Sequence, residues 1–203
     1  MLKCLSSVCG KAGQALKIKV SQMDLPTSDI HQQAVETFDT TKLLTNAARQ
    51  RVLRKFETFP IVDVDCHHYE NESIREIVKY FDDPVLKQIG LAYTAGGTGG
   101  QAPFIPAIVG YQDVAGRVTR YPLRKIETTP GDDTHRDIHL SLRWMDAMGV
   151  DYICLFPTPM LSLGLHPQTE VEAAMAKGYN RWLLENITAK EQRIKTMMYV
   201  PFN

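Results

Sequence analysis

Apolar residues follow two rhythms along this chain: every third or fourth position in some stretches, short continuous runs in others. From Thr40 to Phe56, the residues Leu43, Leu44, Ala47, Ala48, Val52, Leu53 and Phe56 recur at helical spacing. Asp39, Thr40 or Thr41 is placed to cap the start of that helix, and Pro60 ends the region. IVDVDCHHYE (Ile61 to Glu70) opens on β-branched residues and predicts a short buried strand. Helical spacing returns from Glu72 to Phe81, then briefly around Pro84 to Ile89. Ile138, Leu140, Leu142, Met145 and Met148 predict an amphipathic helix, with Asp132 or Asp133 near its start and Gly149 at its end. DYICLF (Asp151 to Phe156) reads as a second buried strand, stopped by Pro157 and Pro159. A third strong helix spans Glu170 to Asn186, and IKTMMYVPF (Ile194 to Phe202) predicts a third strand.

Strand, helix, strand, helix, strand predicts an α/β fold with parallel pairing and right-handed crossovers. Residues 94–133 break the pattern. Gly96, Gly97, Gly99 and Gly100 mark a flexible loop rather than a phosphate loop, because the Gly-Lys-Ser/Thr ending is missing. Ile108 to Tyr111 and Arg117 to Tyr121 flank Asp113-Val114-Ala115-Gly116, a hairpin pattern. So long a connection is functional or partly disordered. Residues 1–23 carry Lys3, Lys11, Lys17 and Lys19 with no acid. They lack the arginines of a transit peptide, and their apolar residues are too scattered for a secretory core. The division is therefore a poorly ordered leader over 1–38, an N-terminal helix over 39–60, and an α/β region over 61–203.

Composition narrows the function classes. The 203 residues hold 23 basic and 23 acidic side chains, which gives no case for a nucleic-acid partner or an anionic membrane surface. No apolar stretch approaches the ~18 residues of a membrane helix. Cys4, Cys9, Cys66 and Cys154 form no C-x-x-C pair, so reduced thiols in a cytoplasmic protein are expected. Without a secretory signal, the sequons at Asn71 and Asn186 read as chance matches.

The chemistry concentrates at the first strand. Alternation sends Asp63, Asp65 and His67 to one face. A carboxylate and an imidazole two residues apart at a strand's C-terminal end can grip one divalent cation from one side. His68 has the opposite parity, which suits a supporting role better than ligation. It joins Thr158 and His166, from the loop after the second strand, as a candidate substrate contact, and Met160 lies in the same loop. Glu70 suits a helix N-terminal acid. His135 and His139, four apart without the glutamate of H-E-x-x-H, read as a helix-start feature. Asn180 and Trp182 read as packing and capping residues. His31 receives no role.

DVDCHHYE resembles the first-strand motif of the amidohydrolase superfamily, in the branch of aminocarboxymuconate-semialdehyde decarboxylase and γ-resorcylate decarboxylase. That motif is commonly H-x-H, with an acid replacing the first His in many members. RWMDAMGVDYICLFPT (Arg143 to Thr158), AMAKGYNRWLLEN (Ala174 to Asn186) and MMYVPFN (Met197 to Asn203) extend the resemblance over residues 61–203. It implies a metal-dependent hydrolase fold of the (β/α)8 TIM-barrel type, with Asp65 and His67 as metal ligands and zinc, or else manganese, as the ion. It implies hydrolysis, or non-oxidative decarboxylation, of a small carboxylate, amide or ester substrate, aromatic acids included.

A complete barrel takes ~250 residues. The family's later ligands, a His from a middle strand and an Asp from a late one, have no positions here, so catalytic residues are unassigned. The expectation is an incomplete barrel of about three strands, a fragment or truncated reading frame. The alternative function is that of a catalytically inactive fragment. An open three-stranded sheet is expected to self-associate, which admits a homo-oligomer.

Overall fold

The computed structural model describes residues 40–95, 104–105 and 129–202. The leader, the glycine cluster and the hairpin pattern lie outside the described residues. So does Asp39, as a cap for the first helix.

Helix α1 (Thr40–Leu53) opens the described chain. It stops short of Phe56 because Lys55 turns into the left-handed region at φ 55°, and Phe56 falls in the following 3₁₀ turn. Strand β1 (Val62–His68) comes next. The single helix expected over 72–81 is instead a 3₁₀ turn (Glu70–Ser73), the short α2 (Ile74–Ile77) and a second 3₁₀ turn (Val78–Tyr80). Both turn types return a side chain to the same side after three or four residues. Ile74, Ile77 and Val78 therefore still share one buried stripe, which is all the periodicity could report.

Helix α3 (Pro84–Thr94) outruns the sequence expectation. The Asp83 carboxylate accepts from the backbone N–H groups of Val85 and Leu86, both at 2.8 Å, and Pro84 occupies the first turn. Gly90 is required there. A Cβ at that position would lie 2.6 and 2.8 Å from the Val78 methyls.

Helix α4 (Arg136–Met148) is capped by His135, whose Nδ1 accepts from the Asp137 N–H at 3.1 Å, rather than by Asp132 or Asp133. It ends at Gly149, φ 76°. Strand β2 (Tyr152–Pro157) follows, then a 3₁₀ segment (Pro159–Leu165), helix α5 (Thr169–Leu183) with a π turn at its end (Leu184–Thr188), and strand β3 (Ile194–Thr196).

The three strands form one parallel sheet in the order β1-β2-β3. The α/β class with parallel pairing is therefore observed. The third strand is only three residues long, because its ladder with β2 closes at Leu155↔Thr196. Beyond it, α5 side chains hold the chain. Asn180 donates to the Tyr199 carbonyl and accepts from its N–H, at 2.8 and 2.9 Å, and Glu172 accepts from the Phe202 N–H at 2.7 Å.

One face of the sheet is sealed. Ile153, Leu155 and Ile194 are buried with Ile77, Met175, Tyr179, Trp182, Leu183 and Ile187 in one apolar cluster. The other face carries Val62 and Tyr152, both exposed, and Cys154 and Phe156, both half-buried. Among the described residues no helix is long and apolar enough to cross a membrane.

Candidate functional site

Strand β1 is irregular where its chemistry begins. Asp63 is opposite Ile153 and Cys66 opposite Leu155, so three steps on β1 match two on β2. Val64 and Asp65 share the place opposite Cys154, a β-bulge. The bulge corrects the alternation expected for the acids. Register partners on neighbouring strands point to the same face, which puts Asp63 with the buried Ile153 and His67 with Phe156 on the open face. Asp63 therefore does not share a face with His67. It turns back locally, its carboxylate accepting from the Asp65 N–H at 3.0 Å.

Asp65 and His67 do come together at the C-terminal end of β1. His67 Nε2 lies 3.1 Å from Asp65 Oδ1, and its Nδ1 lies 3.0 Å from the Pro157 carbonyl oxygen. A carbonyl oxygen only accepts, so Nδ1 carries the proton. In the neutral ring Nε2 then presents a lone pair to a carboxylate oxygen that also presents lone pairs. The contact is favourable only if a second proton or a bound cation lies between them. The side chains are accessible to such a cation, 34% exposed for His67 and 82% for Asp65. Two ligands of one ion with metal–ligand distances near ~2.1 Å sit about 3 Å apart, so the spacing fits. Among the described residues no group of three His, Cys, Asp or Glu side chains could hold a metal ion. Asp65 and His67 supply two donors only.

His68 corrects its expected place among the substrate contacts. It is fully buried between the sheet and the helices. Its Nδ1 donates to Asp137 Oδ2 at 3.0 Å and its Nε2 lies 2.8 Å from the Tyr179 hydroxyl. Its ring lies parallel to that of Trp182. The network continues outward: Trp182 Nε1 donates to Glu76 Oε2 at 2.9 Å, and His135 Nε2 reaches the same oxygen at 3.2 Å. Burial pushes the Asp137 carboxyl up, but the hydrogen bond and charge of His68, with His135 and Arg136 behind it, hold it below the usual carboxylate range. Alternation alone placed His68 on this face; no motif along the chain pointed to Asp137 and Tyr179 as its partners.

Glu70 is a residue whose role the sequence understates. It begins a 3₁₀ turn, yet its carboxylate serves the loop after β2. Its oxygens accept from the N–H of Thr158 at 2.8 Å and of Met160 at 2.5 Å. Burial pushes its carboxyl from 4.5 up to about 7, against the lowering pull of the His68 charge and of the backbone N–H groups of Glu70, Met160 and Thr158. Thr158 and Met160 therefore enter the site through their backbones. His166 is 9% exposed and turned into its own loop, with Nδ1 between the N–H and carbonyl of Gln168, both at 3.1 Å. His139 pairs with Asp132 at 2.8 Å, away from His135's partner Glu76.

Comparison of the chain with known protein families and with curated proteins finds no match.

Proposed function

We propose that Asp65 and His67 are two ligands of a divalent cation, zinc or else manganese, in an amidohydrolase-type metal-dependent hydrolase or non-oxidative decarboxylase acting on a small carboxylate, amide or ester. In this reading the described sheet is the first part of a (β/α)8 barrel. The supporting observation is the convergence of two acceptor atoms, His67 Nε2 and Asp65 Oδ1, at 3.1 Å on an accessible strand end. The architecture supports it too. Parallel sheets bury both faces, and barrel sites lie at the C-terminal ends of strands. Here helices seal one face while the other keeps Tyr152, Cys154 and Phe156 partly open.

The bound ion would polarise the substrate and lower the pKa of a bound water. The chain's own contribution is to hold one anionic and one neutral donor on a rigid strand end, with the imidazole fixed by Pro157. Donors beyond these two come from outside the described residues, and the catalytic proton carrier with them.

The test is calorimetric titration of the 203-residue chain with zinc and with manganese, beside Asp65→Ala and His67→Ala. Each substitution is expected to weaken binding by at least tenfold. Unchanged affinity in both variants removes the assignment. The second reading is a catalytically silent chain whose imidazolium–carboxylate pair needs no metal. It is favoured by the absence of a third donor among the described residues and would appear as no saturable binding by the wild-type chain.

A further inference from the structure

We propose that Glu70 is a positioning residue for the Asp65–His67 pair, acting through the Pro157–Thr158 peptide group. The two ends of that one peptide face opposite partners. Its carbonyl, on Pro157, accepts from His67 Nδ1 at 3.0 Å, and its N–H, on Thr158, donates to Glu70 Oε2 at 2.8 Å. The same N–H also reaches the His68 carbonyl at 3.0 Å, the last rung between β1 and β2. The second Glu70 oxygen takes the N–H of Met160, which anchors the loop on the far side of Pro159. The peptide plane is thus held from both directions, and its carbonyl has one orientation to offer His67.

The chemistry of the peptide makes this more than tethering. A carboxylate that accepts from a peptide N–H draws charge toward the carbonyl oxygen, which becomes a better acceptor. The stronger acceptor fixes the ring proton on Nδ1. The lone pair then stays on Nε2, aimed at Asp65. A ligating imidazole commonly gives its other N–H directly to a carboxylate or to a backbone carbonyl, which sets its tautomer and orientation. Here the two devices stand in series: carboxylate, peptide, imidazole, donor atom. Glu70 is fully buried, so the chain's cation ligands are governed by a charge that solvent does not screen.

The inference takes its functional meaning from the reading of Asp65–His67 as a cation site, but its first test needs no metal. Long-range ¹H–¹⁵N correlation spectra of the metal-free 203-residue chain, recorded at about pH 8 where the Glu70 carboxyl is ionised, report the tautomer of each histidine. His67 is expected as the Nδ1–H form. Glu70→Gln keeps the shape of the side chain but replaces one accepting oxygen with an NH₂. It is expected to raise the Nε2–H population of His67 several-fold and to leave His139, bonded to Asp132, unchanged as an internal control. Zinc affinity in the same variant is expected to fall about 10–100-fold.

A wild-type spectrum with His67 protonated at Nε2 overturns the proposal even if the variant fails to fold. So does a folded Glu70→Gln chain with the wild-type His67 tautomer. A tautomer shift in a chain that never binds zinc removes the cation site and leaves the positioning role standing.

Discussion

His67 and His68 are neighbours in sequence and opposites in structure. His68 has one partner that accepts, Asp137, and one that can donate, the Tyr179 hydroxyl. The Tyr179 hydroxyl can also turn to accept, so both ring nitrogens are satisfied whether or not the imidazole is charged, and the ring is closed off from solvent. His67 has two partners that accept, Pro157 and Asp65, and a neutral imidazole can satisfy only one. Complementary partners make a histidine structural, whereas like partners leave a valence that something else must fill. The sequence HH carries none of this difference. The parity of a strand and the elements on its two faces supply it.

Three measurements sharpen or break that contrast. The largest effect is expected from His68→Ala. It leaves Asp137 buried without its main partner and is expected to cost about 3–5 kcal/mol of unfolding free energy. His67→Ala, on the open face, is expected to stay within about 1 kcal/mol of wild type. Urea denaturation followed by the fluorescence of Trp144 and Trp182 compares the two, and equal losses would dissolve the contrast.

The next effect is a pH slope. Glu70 holds its proton more tightly in the folded chain, at about 7, than at its ordinary 4.5. Between those values the folded state binds more protons than the unfolded. The associated stability is therefore fully present below about pH 4.5 and is lost as pH rises through about 7, a fall of roughly 3 kcal/mol. Asp137 and Glu76, both lowered, act in the opposite sense and in a more acid window. The difference in urea midpoints between wild type and Glu70→Gln, taken at about pH 5 and about pH 8, isolates the Glu70 contribution. A difference that does not change with pH would mean that the carboxyl titrates normally.

The smallest effect is a rate. Cys66 lies on the sealed face at 2% exposure, and Cys154 on the open face is half-buried, its thiol pushed up by that partial burial. In a Cys4→Ser, Cys9→Ser background, Cys154 is expected to react with a thiol reagent several-fold faster than Cys66. Equal rates would show that both faces are equally closed.

Strand, helix and class were legible because burial imposes a period, which the runs at 151–156 and 170–186 show plainly, whereas Val62 and Val64, which marked the first strand as buried, are exposed. The Asp65–His67 pair was legible because two residues of spacing on a strand suffices to bring side chains together. Three features were not. The bulge at Val64–Asp65 adds no residue type that a regular strand forbids, so only pairing with β2 reveals it. The shortness of β3 is set by its ladder with β2, which closes at Leu155↔Thr196, not by the apolar run from Met197 to Phe202. Glu70 looks like a local helix acid because its partners, Thr158 and Met160, are almost ninety positions away.

The extra residue in β1 also divides that strand's labour. Upstream of it, Ile61 is tied to Asp151 at both its carbonyl and its N–H, and that segment answers to the demands of the hydrophobic layer. Downstream, Asp65 and His67 answer to the loop that Pro157 begins. A slip joint between them means that repacking at Ile61 and Val62 need not rotate the donors. Selection, or an engineer, can alter the foundation at positions 61–62 and the chemistry at 65–67 as separate variables, while Asp63, whose carboxylate accepts from the Asp65 N–H, belongs with the chemistry.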